Sequence, residues 1–340
     1  MAKVVTFGEL MIRLQPFNYE RFVQADKLAF TFGGGEANVS VSLANFGFDS
    51  VFVSKLPSHA IGQAAVNSLR RYGVDTSKIV RGGDRVGIYF NEKGASQRPS
   101  VCIYDRANSA IALADKEDFD WDSIFEGADW FHFTGITPAL GKNVAEICKE
   151  ACIEAKKRGV KISCDLNYRG KLWSREQARE TMSELCTFVD VCISNEEDAK
   201  DVFGIEAEAT DITAGEINRK GYESVAVQLM EKFGFEKVAI TLRESKSAFD
   251  NDWSAMLYDG KSFCFSKKYH LHIVDRIGGG DSFGAGLIYS LLSGKDTQSA
   301  VEFAVAASAL KHAVEGDYNM VSVAEVEKLA GGDGSGRVQR

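Results

Sequence analysis

The chain has 340 residues, 45% of them hydrophobic and 26% charged, with only 4 prolines, a composition that excludes a disordered tail, a fibre or a repeat array. A chain of this length buries enough apolar surface to fold as one large or two modest domains without disulfide support. Forty Lys and Arg against 48 Asp and Glu leave a formal net charge of −8, which excludes a global basic field for nucleic acid or an anionic membrane, so an anionic substrate must be met by local arginines.

The first hundred residues open with the strand KVVTFGE, then MIRLQP and FVQADKLAFTFG, and later VGIYFNE and SVCIYDR with no helix between the last two. These segments predict antiparallel strands of a small accessory sheet, about 11–32 and 85–108, growing as a lid from loops at one edge of a main sheet. From about residue 110 the pattern changes to strands separated by helices. Trp130 to Phe133 form a strand, and Val144, Ile147, Cys148, Ala151 and Ala155 follow at helical spacing with one buried face. Next come the strand VKISCDL (160–166), a helix near 174–186, the strand VDVCIS (189–194), a helix from Glu196, another near 217–233 and the strand KVAITL (237–242). Nearly continuous apolar strands alternating with helices predict the α/β class, with a mainly parallel sheet covered on both faces. Helices near 281–293, 297–313 and 322–329 follow, the last opened by Ser322 with Glu325 as a capping box. Residues 1–330 read as one domain and 331–340, rich in glycine, as a flexible tail.

Seven cysteines are an odd number, form no C-x-x-C and sit mostly in apolar runs such as KISCDLN, so they read as small core residues of a reducing compartment. The N-terminal apolar run is broken by Gly8 and Glu9, and no run of 18 apolar residues occurs; a cytoplasmic protein with no membrane partner is the expectation.

The most informative stretch runs from Asp275 to Gly286, where Gly278, Gly279 and Gly280 lead into an apolar helix with Asp281 in its first turn. Bare amides at a helix start approach an anion closely, and phosphate is the obvious guest. An aspartate in that turn stands beside a transferring phosphoryl group, placed to accept the proton of an attacking hydroxyl. The plain alternative is a glycine-rich turn with Asp281 favoured by the helix dipole. A second run, Gly33-Gly34-Gly35, also leads into an apolar helix, where Asn38 offers a donor and an acceptor suited to sugar hydroxyls, or merely caps the helix.

Rival nucleotide motifs fail. Gly135 to Asn143 resembles a P-loop but has five residues between its glycines and Asn in place of Ser or Thr, and no G-x-G-x-x-G follows the first strand. The five histidines form no H-E-x-x-H, and His270 with His272 on one strand face reads as a solvated or packed pair, not a metal site.

The two glycine runs, the paired strands GIYF and VCIYDRANSA, the strand end CDLNYRGKLW and the NEED segment at 195–198 together resemble the ribokinase (PfkB-type) carbohydrate kinases over about residues 3–330, most closely the members that act on 2-keto-3-deoxygluconate. The resemblance implies a ribokinase-like three-layer α/β/α core with a β-sheet lid that also mediates homodimer contacts or a higher homo-oligomer. It further implies ATP with Mg²⁺, leaves room for a monovalent cation, and implies γ-phosphoryl transfer to a primary sugar hydroxyl. Onto this sequence it carries Asp281 as general base and the amides of Gly278, Gly279 and Gly280 as anion hole beside ATP; Gly279 stands where alanine is more usual, which leaves the amide unchanged.

Asn195 matches the start of the family's N-x-x-E element, which organises metal-bound water; here the fourth residue is Asp198, with a shorter reach to Mg²⁺. Thr241, Arg243 and Glu244 take the place of a T-x-G element beside ATP, where Arg243 replaces glycine and either faces phosphate or crowds it. The resemblance places Arg106 and Arg169 at a sugar-acid carboxylate, with Gly34, Tyr89 and Tyr104. Guanidinium forks suit a carboxylate, whereas a neutral sugar would leave the charges unpaired. The plainer reading makes both arginines surface residues paired with nearby acids.

The expectation is therefore ATP-dependent phosphorylation of 2-keto-3-deoxy-D-gluconate to 2-keto-3-deoxy-6-phosphogluconate. The alternatives are a kinase for a neutral sugar or nucleoside, and a non-catalytic sugar-acid-binding regulator.

Overall fold

The β-branched and aromatic segments pair into two sheets in the computed structural model, which describes residues 1–195, 197–206, 219–334 and 336. In chain order the strands are β1 (Lys3–Phe7), β2 (Met11–Pro16), β3 (Leu28–Gly33), β4 (Asp49–Leu56), β5 (Ile79–Arg81), β6 (Ile88–Glu92), β7 (Val101–Asp105), β8 (Trp130–Thr134), β9 (Lys161–Asp165), β10 (Val191–Asn195), β11 (Lys237–Ser245), β12 (Asp250–Tyr258), β13 (Phe263–Phe265) and β14 (Tyr269–His272). The helices are α1 (Gly35–Asn45), α2 (Ala60–Arg70), α3 (Trp121–Phe125), α4 (Lys142–Lys157), α5 (Arg175–Leu185), α6 (Asp198–Phe203), α7 (Arg219–Phe233), α8 (Gly279–Leu292), α9 (Thr297–Lys311) and α10 (Val323–Ala330).

The large sheet runs β13-β12-β11-β10-β9-β8-β1-β4-β5, with β14 also on β12. Neighbours from β11 to β5 pair in parallel. Successive residues of each central strand point to opposite faces, so both faces must be apolar. Val4, Ile193 and Ala239 pack with Phe283, Leu287 and Phe303 beneath α8 and α9, while Val5, Cys192 and Val238 pack with Ile147, Met182 and Leu229 beneath α4, α5 and α7. Of the antiparallel edge only the strand carrying His270 and His272 is expected from the sequence; β12 opens on the polar run Asp250-Asn251-Asp252 and β13 has only three residues, so neither shows the apolar continuity of the parallel strands. His270 and His272 of β14 pair with Asp252 and Asp250 of β12 at 2.6 and 2.8 Å with their side chains 74% and 73% exposed, the solvated one of the two readings. Five of the seven cysteines are buried and all are free thiols.

The small sheet runs β3-β2-β6-β7. Its outer pairs are antiparallel as expected, but the central β2–β6 pair is parallel. The chain returns to the core through β4 and β5 before β6, so β6 leaves the same edge as β2 and runs in the same direction. The register places Leu14 opposite Phe30 and Phe90, with Ile103 beyond, as one apolar row across all four strands, and sets Arg13, Tyr89 and Tyr104 on the opposite face.

The Ser322–Glu325 capping box opens α10 as its spacing predicts. The expected helix from Glu196 begins at Asp198, and Glu196 lies outside the described residues, as do 217 and 218 of the helix near 217–233 and most of the tail end, 335 and 337–340. No described helix is long and apolar enough to cross a membrane.

Candidate active site

The carboxyl ends of the parallel strands open on one cleft of about 300 Å³, beside β1, where the chain places β4 on one side and β8 on the other. Crevices outside the strand ends at such a reversal are where open α/β sheets bind ligands.

Gly278 enters α8 in the left-handed conformation (φ 82°). A Cβ there would lie 2.1 Å from the Asp317 carbonyl oxygen, and one on Gly279 would lie 2.5 Å from the His312 ring, whereas one on Gly280 would meet nothing within 4 Å. Packing therefore requires the first two glycines, and Gly280 borders open cleft. Gly279 N–H donates to the Arg276 carbonyl at 3.4 Å; among the described residues the N–H groups of Gly278, Gly280 and Asp281 have no acceptor. Three unpartnered amides at one helix N-terminus form an anion seat.

Asp281 follows at once. Burial pushes its carboxyl up to about 7; a hydrogen bond from Asn38 opposes the rise, Asp317 and Glu36 add to it and Arg169 opposes it. Asn38 Nδ2 donates to Asp281 Oδ2 at 2.7 Å while Asn38 Oδ1 accepts from Gly34 N–H at 3.3 Å, so this side chain joins the two glycine runs. Glu36, one residue into the same helix, accepts from the Thr134 N–H and Oγ1 at 2.9 Å each and from Thr137 Oγ1 at 2.6 Å, fixing α1 to the end of β8. Gly34 has extended backbone, and a Cβ on it would lie 2.0 Å from the Glu9 carbonyl oxygen.

On the small-sheet side, Arg106 is 9% exposed and already donates through Nε to Glu9 Oε2 at 2.8 Å, with Nη2 on the same oxygen. Its pairing with an acid follows the plainer reading for that arginine, but in a buried position and not at the surface; it still lines the cleft, with its guanidinium 5.6 Å from the Tyr104 ring centroid. Arg169 differs. It is exposed at the cleft, donates to the Tyr168 carbonyl at 2.9 Å, and has no acid within ion-pair distance among the described residues. Tyr89 and Tyr104 face each other across β6 and β7, and the buried Tyr89 hydroxyl donates to Asp317 at 2.6 Å.

Toward β10 and β11, Asn195 Oδ1 accepts from the N–H groups of Glu197 and Asp198 at 2.7 and 2.9 Å, which starts α6. Asp198 Oδ1 accepts from Tyr168 N–H at 3.1 Å, whereas its buried Oδ2 has no partner. Burial pushes this carboxyl up to about 6, with Arg169 opposing. Asp165, at the end of β9, is also held well above the ordinary carboxylate range by burial and by the charges of Asp198 and Asp281. Thr241 Oγ1 donates to the Ser194 carbonyl at 3.4 Å. Arg243 lies over the Trp253 ring, 4.9 Å from its centroid, on the cleft wall. Glu244 does not line the cleft; it pairs with Lys268 at 2.6 Å.

The cleft therefore brings together every residue expected from the sequence except Glu244. It also contains acids that sequence reasoning missed: Glu9, Glu36, Asp165 and Asp317. Glu9, breaking an apolar run, and Asp165, closing a strand, carried a visible signal; Asp317 carried none.

Residues 1–324 match the family model for pfkB family carbohydrate kinase. The chain belongs to this family of carbohydrate kinases. It is 35% identical to the 2-dehydro-3-deoxygalactonokinase of Haloferax volcanii over 335 residues, 98% of each chain. It is 28% identical to the 2-dehydro-3-deoxygluconokinase of Bacillus subtilis over 331 residues, 96% of this chain and 94% of that one. The crystal structure of a 2-dehydro-3-deoxygluconokinase from Thermotoga maritima superposes with a TM-score of 0.94 at 51% identity, covering 98% of this chain and 100% of that one. The ribokinase-like fold is thereby established along with the family.

Proposed function

We propose that this kinase transfers the γ-phosphoryl group of ATP to the terminal hydroxyl of 2-keto-3-deoxy-D-gluconate, giving 2-keto-3-deoxy-6-phosphogluconate, with Asp281 as general base. The observation that carries the reading is the pairing within one cleft of Asp281, titrating near 7, with Arg169, an exposed cation that has no acid partner among the described residues. A base with that pKa is half ionised at neutral pH, as proton abstraction from a hydroxyl requires. Arg169 suits the substrate carboxylate, and the similarity to the named gluconokinases supports the same acid. The carboxylate argument rests mainly on Arg169, since Glu9 already neutralises Arg106.

In this mechanism Asp281 accepts the hydroxyl proton as the oxygen attacks the γ-phosphorus and the bond to the β-phosphate oxygen breaks. The amides of Gly278, Gly280 and Asp281 donate to the phosphoryl oxygens as charge develops there. Thr241 and Arg243 lie on the ATP side, and the small sheet, bearing Tyr89, Tyr104 and Arg106, acts as a lid that excludes water.

The unpartnered Oδ2 of Asp198, with Asn195 and Asp165 lining the same cleft, suits the water shell of a divalent cation. These residues would hold Mg²⁺, which would supply neutralisation of phosphate charge there. The apolar row on the outer face of the small sheet, where Phe30 and Ile103 are 51% and 52% exposed, supports a homodimer through that sheet; sedimentation showing only monomer would remove it.

The deciding test is Mg²⁺-dependent ATP consumption with 2-keto-3-deoxygluconate, its C4 epimer, fructose, ribose and adenosine, for wild type and Asp281→Asn. Selective turnover of the sugar acid that is lost in the variant supports the proposal. Preference for a neutral sugar or nucleoside refutes the substrate.

A further inference from the structure

Arg13 stands in the middle of β2 on the core-facing side of the small sheet and is only 2% exposed. Its Nη1 donates to Asp317 Oδ1 at 2.7 Å, its Nη2 to Asp275 Oδ2 at 2.6 Å, and its Nε to Gln15 Oε1 at 3.1 Å. Gln15 Oε1 also accepts from Asn91 Nδ2 at 2.6 Å, which ties β2 to β6. Each acid in turn holds a loop of the site. Asp275 accepts from Ile277 N–H at 3.2 Å and Gly316 N–H at 3.1 Å. Asp317 takes the Tyr89 hydroxyl, and its carboxylate occupies the space a Cβ on Gly33 would need, 1.9 Å from Oδ2. A second buried cation, Lys311, donates to the Val314 carbonyl at 2.9 Å.

We infer that Arg13 is a positioning residue for phosphoryl transfer: it sets the register of the small sheet against the Gly278–Asp281 turn and neutralises Asp317 behind the base. The inference rests on the kinase reading above. A buried ion pair adds little net stability compared with an apolar pair of the same volume, but breaking it leaves uncompensated charge, so it enforces one arrangement. Only a guanidinium fork reaches two carboxylates at once; an ammonium on the same strand is a point charge. The register matters because the small sheet carries Tyr89, Tyr104 and Arg106, whereas the base and the anion seat belong to α8. The charge matters because Asp317 helps to push Asp281 up. Facing Asp281 are Asn38 and Glu36 from α1, Asp317 from the loop after α9, Asp165 and Arg169 from β9 and the loop beyond it, and Lys311 from the end of α9.

The test compares Arg13→Lys and Arg13→Met with wild type, reading kcat, the KM values of sugar and ATP, the pH profile of kcat/KM, and the Asp281 titration by carboxyl carbon NMR. For Arg13→Lys, which keeps the charge, kcat falls about 10²-fold with the KM for ATP unchanged, because the register loosens while the base keeps its pKa. For Arg13→Met, kcat falls and the acid limb and the Asp281 titration both move to higher pH. Wild-type kcat and an unmoved Asp281 titration in both variants, with only thermal stability lost, would overturn the inference. If Arg13→Met does not fold, the kcat of Arg13→Lys decides. Should the wild type prefer fructose or ribose, the sugar-acid reading fails, while Arg13 is still judged on that sugar and on the NMR titration.

Discussion

Asn38 Nδ2 lies 2.7 Å from Asp281 Oδ2, a hydrogen bond between the first turns of two helices whose residues stand 243 positions apart. Both helices start with glycines, so both N-termini approach the cleft closely, and the amide of one orients the carboxylate of the other.

Removing that donor alters the base directly. The bond favours the ionised carboxylate, so Asn38→Ala raises the Asp281 pKa above its present value of about 7. Because the ionised form is the active one, the acid limb of kcat/KM moves to higher pH, and activity at pH 8 survives better than activity at pH 6. A full pH profile of the variant checks this, and an unmoved limb counts against Asp281 as the base.

Asp281→Asn trades turnover for stability. The folded-state pKa of Asp281 is raised above the ordinary carboxylate value, so the group favours folding below about pH 4 and loses that contribution as pH rises through about 7. At pH 8 the variant unfolds at a higher temperature than wild type, at pH 4 the two converge, and turnover falls by about 10²–10⁴. Calorimetry at both pH values with a coupled assay measures the pair.

The two cleft arginines separate by what each leaves behind. Arg169→Ala removes an exposed cation, so the KM for the sugar acid rises while thermal stability holds. Arg106→Ala strands the buried Glu9 carboxylate, and breaking such a pair costs about 3–5 kcal/mol. Adding Glu9→Gln to Arg106→Ala restores much of that stability without restoring sugar-acid affinity. Thermal melts and steady-state kinetics on all four proteins distinguish the roles.

Under the proposed metal role, Asp198 reports on Mg²⁺ binding. Its pKa of about 6 means that Mg²⁺ must displace a proton in mildly acidic solution, so the Mg²⁺ concentration for half-maximal rate rises as pH falls below 6. Asp198→Asn raises that concentration about 10-fold or more at pH 7.5 and flattens its pH dependence. A Mg²⁺ titration at three pH values reads both.

The glycine turn is asymmetric. Gly278→Ala imposes a side chain at φ 82° and against the Asp317 carbonyl, so it lowers the melting temperature. Gly280→Ala meets nothing within 4 Å and leaves the melting temperature unchanged, but its methyl borders the anion seat and raises the KM for ATP. Melting curves with ATP kinetics separate the two effects.

Much of the fold is readable from contiguous residues. The apolar strands β9, β10 and β11, the buried stripe of α4 and the capping box of α10 are repeats or short-range pairings that need no knowledge of the rest of the chain. The parallel β2–β6 pair was not readable, because strand direction depends on where the chain re-enters the sheet.

The sequence by itself determined the α/β class and the two glycine-led helices, and it singled out Asp281 and Asn38 as candidates from local runs of residues, whereas the two arginines entered only through the family resemblance. Only the tertiary structure decided the partners: Glu9 taking Arg106, Asp198 left with an unpartnered oxygen, and Arg13 meeting Asp317 across 304 positions. The reason is physical. Burial and charge pairing depend on which loops the sheet order brings to one cleft, and those contacts set both the pKa of Asp281 and which arginine is left without an acid.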